Sequence, residues 1–128
     1  MRSSRIQAVE DVALEVAPGL SDEVRWFYGE VGGLTEVASN APAEAVTCFK
    51  SAHINLFVAE VECPRIDPVA VRVTLSVTSL LDVAAKLADR GVAVTRESGL
   101  NYTDRRLIAQ DPGGNRIAFK REWPDWPL

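Results

Sequence analysis

The stretch Asp111-Pro112-Gly113-Gly114-Asn115-Arg116-Ile117-Ala118-Phe119 decides how this chain is read. Proline presets φ, and Gly and Asn tolerate left-handed backbone, so Asp111 to Asn115 is a tight turn. Arg106 to Gln110 before it and Arg116 to Arg121 after it read as strands. Further upstream, Ser98 to Tyr102 reads as a loop, Val92 to Thr95 as a short strand and Gly91 as a helix stop. Leu80, Ala84, Leu87 and Ala88 line one face of a helix that Ser79 can cap, with Asp82 at the capping-box position. Before it, Val71, Val73, Leu75 and Val77 alternate with Arg72, Thr74 and Ser76. That period of two gives a strand with one apolar and one polar face. The second half therefore reads β-α-β-β-β.

The first half reads the same way. Val12, Leu14 and Val16 alternate with Asp11, Ala13 and Glu15, and Pro18-Gly19 makes a turn. Ser21 can cap a helix with Asp22 and Glu23 in its first turn, where the helix dipole favours negative charge. Val24, Phe27, Tyr28 and Val31 recur at helical spacing, and Gly32-Gly33 ends the run. Strands are expected near Leu34 to Val37, at Val46 to Lys50 and at Ala52 to Val61, with Ser39 to Glu44 as a loop. Pro64 to Pro68 suits neither helix nor strand and reads as a linker. Val12-Ala13-Leu14-Glu15-Val16 aligns with Val73-Thr74-Leu75-Ser76-Val77, which points to an internal duplication. Module one covers about 6–62 and module two about 69–122, within a single domain of 128 residues.

Composition narrows the partners. The net charge is −4 and the basic residues do not run together, which argues against nucleic acid. Met1-Arg2-Ser3-Ser4-Arg5 is basic, but no apolar stretch of signal-peptide length follows, and no run approaches a membrane span. The expected location is the cytoplasm, with no membrane partner. Cys48 and Cys63 are too few for a disulfide framework. They read as two small buried side chains, with a lone disulfide as the alternative.

In each half the apolar strand face and the helix stripe bury one another. The opposite sheet face stays mixed and polar. The expected fold class is α+β: two βαβββ modules in tandem, their sheets facing each other around a cavity.

Here the chain resembles a known family. Asp111 to Asn115, followed by its strand, is similar to the Asp-Pro-x-Gly-Asn turn before the last strand of vicinal-oxygen-chelate proteins (the glyoxalase/bleomycin-resistance/dioxygenase group). Trp26-Phe27-Tyr28 with Gly32-Gly33-Leu34, and Leu87 to Val92, resemble two other segments of that family. The resemblance runs over roughly residues 6 to 121. It implies a homodimer and a small-molecule ligand.

The family's metalloenzymes hold a divalent ion through His and Glu drawn from four strands. By the resemblance, those positions fall on Asp11, Asn55, Arg72 and Ala118. Arg72 has no lone pair to offer and Ala118 has no ligand atom, so no metal and no other cofactor is expected. In place of a metal set, Asp11 and Arg72 are expected to face each other, free to pair bidentately. That pair either only fixes the register of the halves or leaves Arg72 to hold an anion while Asp11, Glu15 and Asn55 read its donors. Thr74 and Ser76 lie on the same face as Arg72, and His53 and Phe57 share the face of Asn55. His53, the only histidine, is the one candidate for acid–base catalysis, against the plainer reading of an ordinary strand histidine. Asn101-Tyr102-Thr103-Asp104 could close over a ligand, and the tryptophans of the tail Trp123 to Leu128 could pack on a neighbouring half or a second subunit.

Three functions remain open from sequence. The first is a metal-independent small-molecule binder with a resistance or sequestration role. The second is a lyase, isomerase or dioxygenase using His53, or an atypical metal set of Asp11, His53 and Asn55. The third is a non-catalytic interaction module.

Overall fold

A computed structural model of the chain describes residues 9–38, 46–98 and 105–122. Eight strands form two four-stranded sheets of the same design. The first contains β1 (Glu10–Val16), β2 (Thr35–Val37), β3 (Val46–Lys50) and β4 (Ile54–Glu60), in the order β1-β4-β3-β2. The second contains β5 (Val71–Val77), β6 (Val94–Ser98), β7 (Arg105–Gln110) and β8 (Arg116–Arg121), in the order β5-β8-β7-β6. In each sheet the first and last strands run parallel, because the chain crosses over through a helix, and the other pairs are antiparallel. The duplicated βαβββ order expected from the sequence is thus the observed one.

The helices differ from each other in ways the sequence does not advertise. In the first module, α1 (Ser21–Val24) continues as a π-helical stretch, Arg25–Val31. Ser21 is not its cap. Glu60, on β4, accepts from the amides of Gly19 (2.8 Å) and Leu20 (3.1 Å) at the start of the helix. In the second module, α2 (Leu80–Asp89) starts at Ser79, whose hydroxyl accepts from the Asp82 amide at 3.2 Å, as expected. It ends in a Schellman arrangement: Val92 N donates to Leu87 O (2.9 Å) and Gly91 N to Ala88 O (3.0 Å), with Gly91 at φ +70°. Val92 therefore belongs to the helix stop, and β6 begins two residues later than the sequence reading placed it.

One hydrophobic cluster spans both modules. Leu14 and Val16 of β1, Leu56 and Val58 of β4, Leu75 of β5, and Ile117 and Phe119 of β8 are buried against Phe27, Tyr28 and Leu87 from the helices. Burying each such side chain is worth about 1.5–3 kcal/mol. Phe27 packs on Phe119 of the other module, with ring centroids 5.7 Å apart. Trp26 is partly buried and carries the Arg90 guanidinium 4.2 Å above its ring, a cation–π link from the end of α2.

The turn from Asp111 to Asn115 does more than reverse the chain. Asp111, 4% exposed, accepts from Gly113 N (2.9 Å) and Asn115 N (2.8 Å) through Oδ1. Its Oδ2 accepts from Asn115 Nδ2 (3.0 Å) and from the Tyr28 hydroxyl of the first module (2.6 Å). Asn115 Nδ2 also donates to the Glu15 carbonyl (3.1 Å). The turn is a clasp between the modules. Cys48 is buried, but Cys63 is exposed and both thiols are free, which corrects the reading of two buried cysteines. No helix among the described residues is long and apolar enough to cross a membrane.

Candidate functional site

Strand registers define the sheet face that points away from the core. Residues paired across neighbouring strands share a face, so each sheet presents rows that run across its strands. In the first sheet the middle row is Ala13, Phe57, Cys48 and Val37, one from each strand. It is an apolar stripe, with Phe57 and Val37 each 39% exposed. One side of it carries Asp11, Asn55, Lys50 and Thr35; the other carries Glu15, Ala59 and Val46. The corresponding middle row of the second sheet is Thr74, Ala118, Ile108 and Thr95. Ser76, Lys120, Arg106 and Glu97 flank it on one side, and Arg116 and Gln110 on the other.

Most of the residues singled out from sequence fall on these faces. Asn55 Nδ2 donates to Asp11 Oδ1 at 3.0 Å, so those two side chains form a unit. Glu15 accepts from the Arg65 amide at 2.8 Å, tying β1 to the linker. Thr74 and Ser76 are exposed on β5. His53 precedes β4 and is exposed. Its carbonyl accepts from Glu10 N (3.0 Å) and its amide donates to Ser51 Oγ (3.4 Å), while its imidazole has no partner among the described residues. The segments 101–104 and 123–128 lie outside the described residues.

The expected bidentate pair of Asp11 with Arg72 is not formed. Asp11 is engaged by Asn55, and Asp67 lies near enough to Arg72 to feel its charge, without an ion pair between them. Amides of Ala70 (3.0 Å) and Val69 (2.9 Å) donate to Asp67 Oδ1 and hold its pKa below the ordinary carboxylate value, with a smaller pull from Arg72. The physical reason lies in the backbone. Val71 pairs with Arg116 and Val73 with Ile117, so Arg72 is the extra residue of a β-bulge. A bulge bends the strand and re-aims its side chain. The matching position on β1, Asp11, sits in unbroken register with Asn55.

Sequence reasoning missed Arg116 and Lys120. They lie on β8 with Ala118 between them, so all three share the polar face. Period-two alternation from Ile117 and Phe119 was the signal that could have found them. The Nε of Arg116 is buried with no hydrogen-bond partner. Arg106 is neutralised by Glu97 at 2.7 Å. The second sheet's face thus carries more cations than acids, whereas the first carries Asp11 and Glu15 against Lys50.

By sequence, no family model and no curated protein matches the chain. By structure the likeness is extensive. A Bacillus anthracis protein assigned to the glyoxalase family superposes with a TM-score of 0.74 at 23% identity, covering 96% of this chain and 100% of its own. The genomically encoded fosfomycin resistance protein FosX from Listeria monocytogenes gives 0.70 at 11% identity, covering 93% and 96%. Lactoylglutathione lyase from Agrobacterium tumefaciens gives 0.63 at 19% identity, covering 92% and 96%. The chain therefore has the tandem βαβββ fold of the vicinal-oxygen-chelate superfamily, to which the glyoxalase and bleomycin-resistance proteins belong.

That fold implies a divalent metal in its metalloenzymes, and the residues here do not fit one. Of the four positions carried over by resemblance, Asp11 has an oxygen engaged by Asn55, Asn55 is neutral, Arg72 is a fixed cation and Ala118 offers a methyl. Among the described residues no three His, Cys, Asp or Glu side chains gather where an ion could sit.

Proposed function

We propose that this chain is a metal-independent small-molecule binding protein that encloses its ligand against the polar sheet faces, as a homodimer in the cytoplasm, in a resistance or sequestration role. The observation that carries the reading is the chemistry at the four carried-over positions, where an aspartate, the asparagine bonded to it, a bulged arginine and an alanine stand in place of a chelating set. The apolar row through Phe57, flanked by polar rows, supports it, because pockets for small organic molecules combine apolar walls with a few placed polar groups. Asp11, Glu15, His53, Asn55, Phe57, Arg72, Thr74 and Ser76 are the residues proposed to meet the ligand. His53 lacks a carboxylate or other acid–base partner among the described residues, which weighs against the catalytic alternative.

The test is metal content per chain by inductively coupled plasma mass spectrometry, on untagged protein purified without chelators, followed by a thermal-shift screen of small molecules. Negligible metal, no melting shift on metal addition and at least one saturable compound are expected. Near-stoichiometric iron, zinc, nickel or manganese would overturn the reading.

A further inference from the structure

We propose that Arg72 and Arg116 together form an oxyanion site, which takes the carboxylate or phosph(on)ate group of a small organic acid. This deepens the binder reading and rests on it. The bulge sets Val71 and Arg72 together opposite Arg116, so two guanidinium-bearing positions are cross-strand neighbours on the face away from the core. Like charges placed opposite each other in a sheet destabilise it. Such a placement is costly unless a counter-charge joins it.

The acids among the described residues do not supply that counter-charge. No ion pair there links Arg116 to an acid, and its Nε is shielded from water yet unpartnered. A buried donor without an acceptor carries its full desolvation cost. Glu15, whose carbonyl is reached by neighbouring Asn115, has its carboxylate on the Arg65 amide (2.8 Å). Asp67 acts on Arg72 at longer range while its Oδ1 is engaged by two backbone amides, and no ion pair joins the two side chains. An incoming oxyanion supplies the counter-charge from the solvent side, where Arg72 is exposed, and not an acceptor for the shielded Nε itself. Two planar guanidinium forks match the oxygens of a carboxylate or phosph(on)ate, and such charge-assisted bonds are the strong ones. Gln110, paired with Arg116 in the sheet, and Thr74 add neutral donors beside them.

The experiment is a titration of the full ¹⁵N-labelled chain with sodium phosphate and, separately, sodium acetate, with sodium chloride at matched ionic strength as control. Arginine side-chain Nε–Hε signals and the melting midpoint are read. The Arg116 signal, identified by its disappearance in R116K, should move saturably with at least one oxyanion and not with chloride. R72Q should weaken that binding about tenfold, as expected for loss of a charge-assisted contact. It should also raise the melting midpoint of the anion-free protein, because Arg72 is exposed and its removal relieves repulsion. If R116K fails to fold, R72Q and the chloride control still decide the matter. Equal responses to chloride and oxyanions, or an R72Q variant that binds as the parent does, overturn the site. The compound screen separates the two ideas. Uncharged ligands without oxyanion binding would sink this site and keep the binder. Bound metal would sink the binder, while the oxyanion titration would still decide this site.

Discussion

Tyr28→Phe removes one oxygen atom from the clasp between the modules and should cost about 2 kcal/mol of stability. The figure follows from the contacts. The Tyr28 hydroxyl donates to Asp111 Oδ2 at 2.6 Å, and both residues are buried. After its removal Asp111 keeps Gly113 N, Asn115 N and Asn115 Nδ2 as donors, so the carboxylate is not stranded. What is lost is a single hydrogen bond to a charged group, worth about 1.5–3 kcal/mol. With a urea m-value in the usual range, this moves the unfolding midpoint down by about 1 M at constant m. The pH dependence adds a second check. Burial, then the Asp111 charge, then its hydrogen bond hold the Tyr28 pKa well above the ordinary 10.0. A raised folded-state pKa gives stability that is complete below the unfolded value and is lost as pH climbs toward the folded one. The gap between parent and Y28F should therefore be flat from about pH 6 to 9 and narrow above about pH 10. A midpoint shift under about 0.3 M at neutral pH would refute the assignment of the clasp as an energetic link.

Gly113→Ala would place a Cβ 2.5 Å from Val16 Cγ1 and 2.8 Å from Val16 Cβ, across the module boundary. Overpacking of that kind costs about 1–3 kcal/mol, readable by the same urea titration, and a neutral variant would show that the turn can back away from β1. Cys63 is exposed and Cys48 buried, so Ellman's reagent should titrate one thiol quickly and the second only on unfolding; two fast thiols would contradict the placement of Cys48 on β3.

The strands were legible chiefly through the core: six of the eight bury side chains there, whereas β2 and β6, at the outer edges of the sheets, bury none. Val71 to Val77 appears with the bounds that alternation marks out, and Val46 to Lys50 with the bounds expected for it. The helix starts were legible only where the capping partner is local. Ser79 caps α2 from one position away, whereas α1 takes its acceptor from Glu60, 40 or 41 residues downstream of the amides it receives, and no short pattern records that. The π-helical stretch escaped for a related reason: Phe27, Tyr28 and Val31 satisfy a helical stripe without fixing its pitch. At the candidate site, alternation placed Asp11, Glu15, Thr74 and Ser76 on the open face. It could not foresee the bulge, since one extra residue relative to the pairing partner leaves the Val71-Arg72-Val73 pattern itself unchanged. The pairing of Asp11 with Arg72 failed on that point.

The clasp also bears on how such a duplicated chain can change over generations. Position 28 in the first copy donates a buried hydrogen bond to position 111 in the second, and Gly113 is shaped by Val16. The corresponding β3–β4 connection, Ser51-Ala52-His53, offers no matching aspartate. The two copies are thus no longer interchangeable. A change at Asp111 is a change for both, and drift in either half is filtered through the other, so the seam, where the two copies differ most in role, is where neither can change alone.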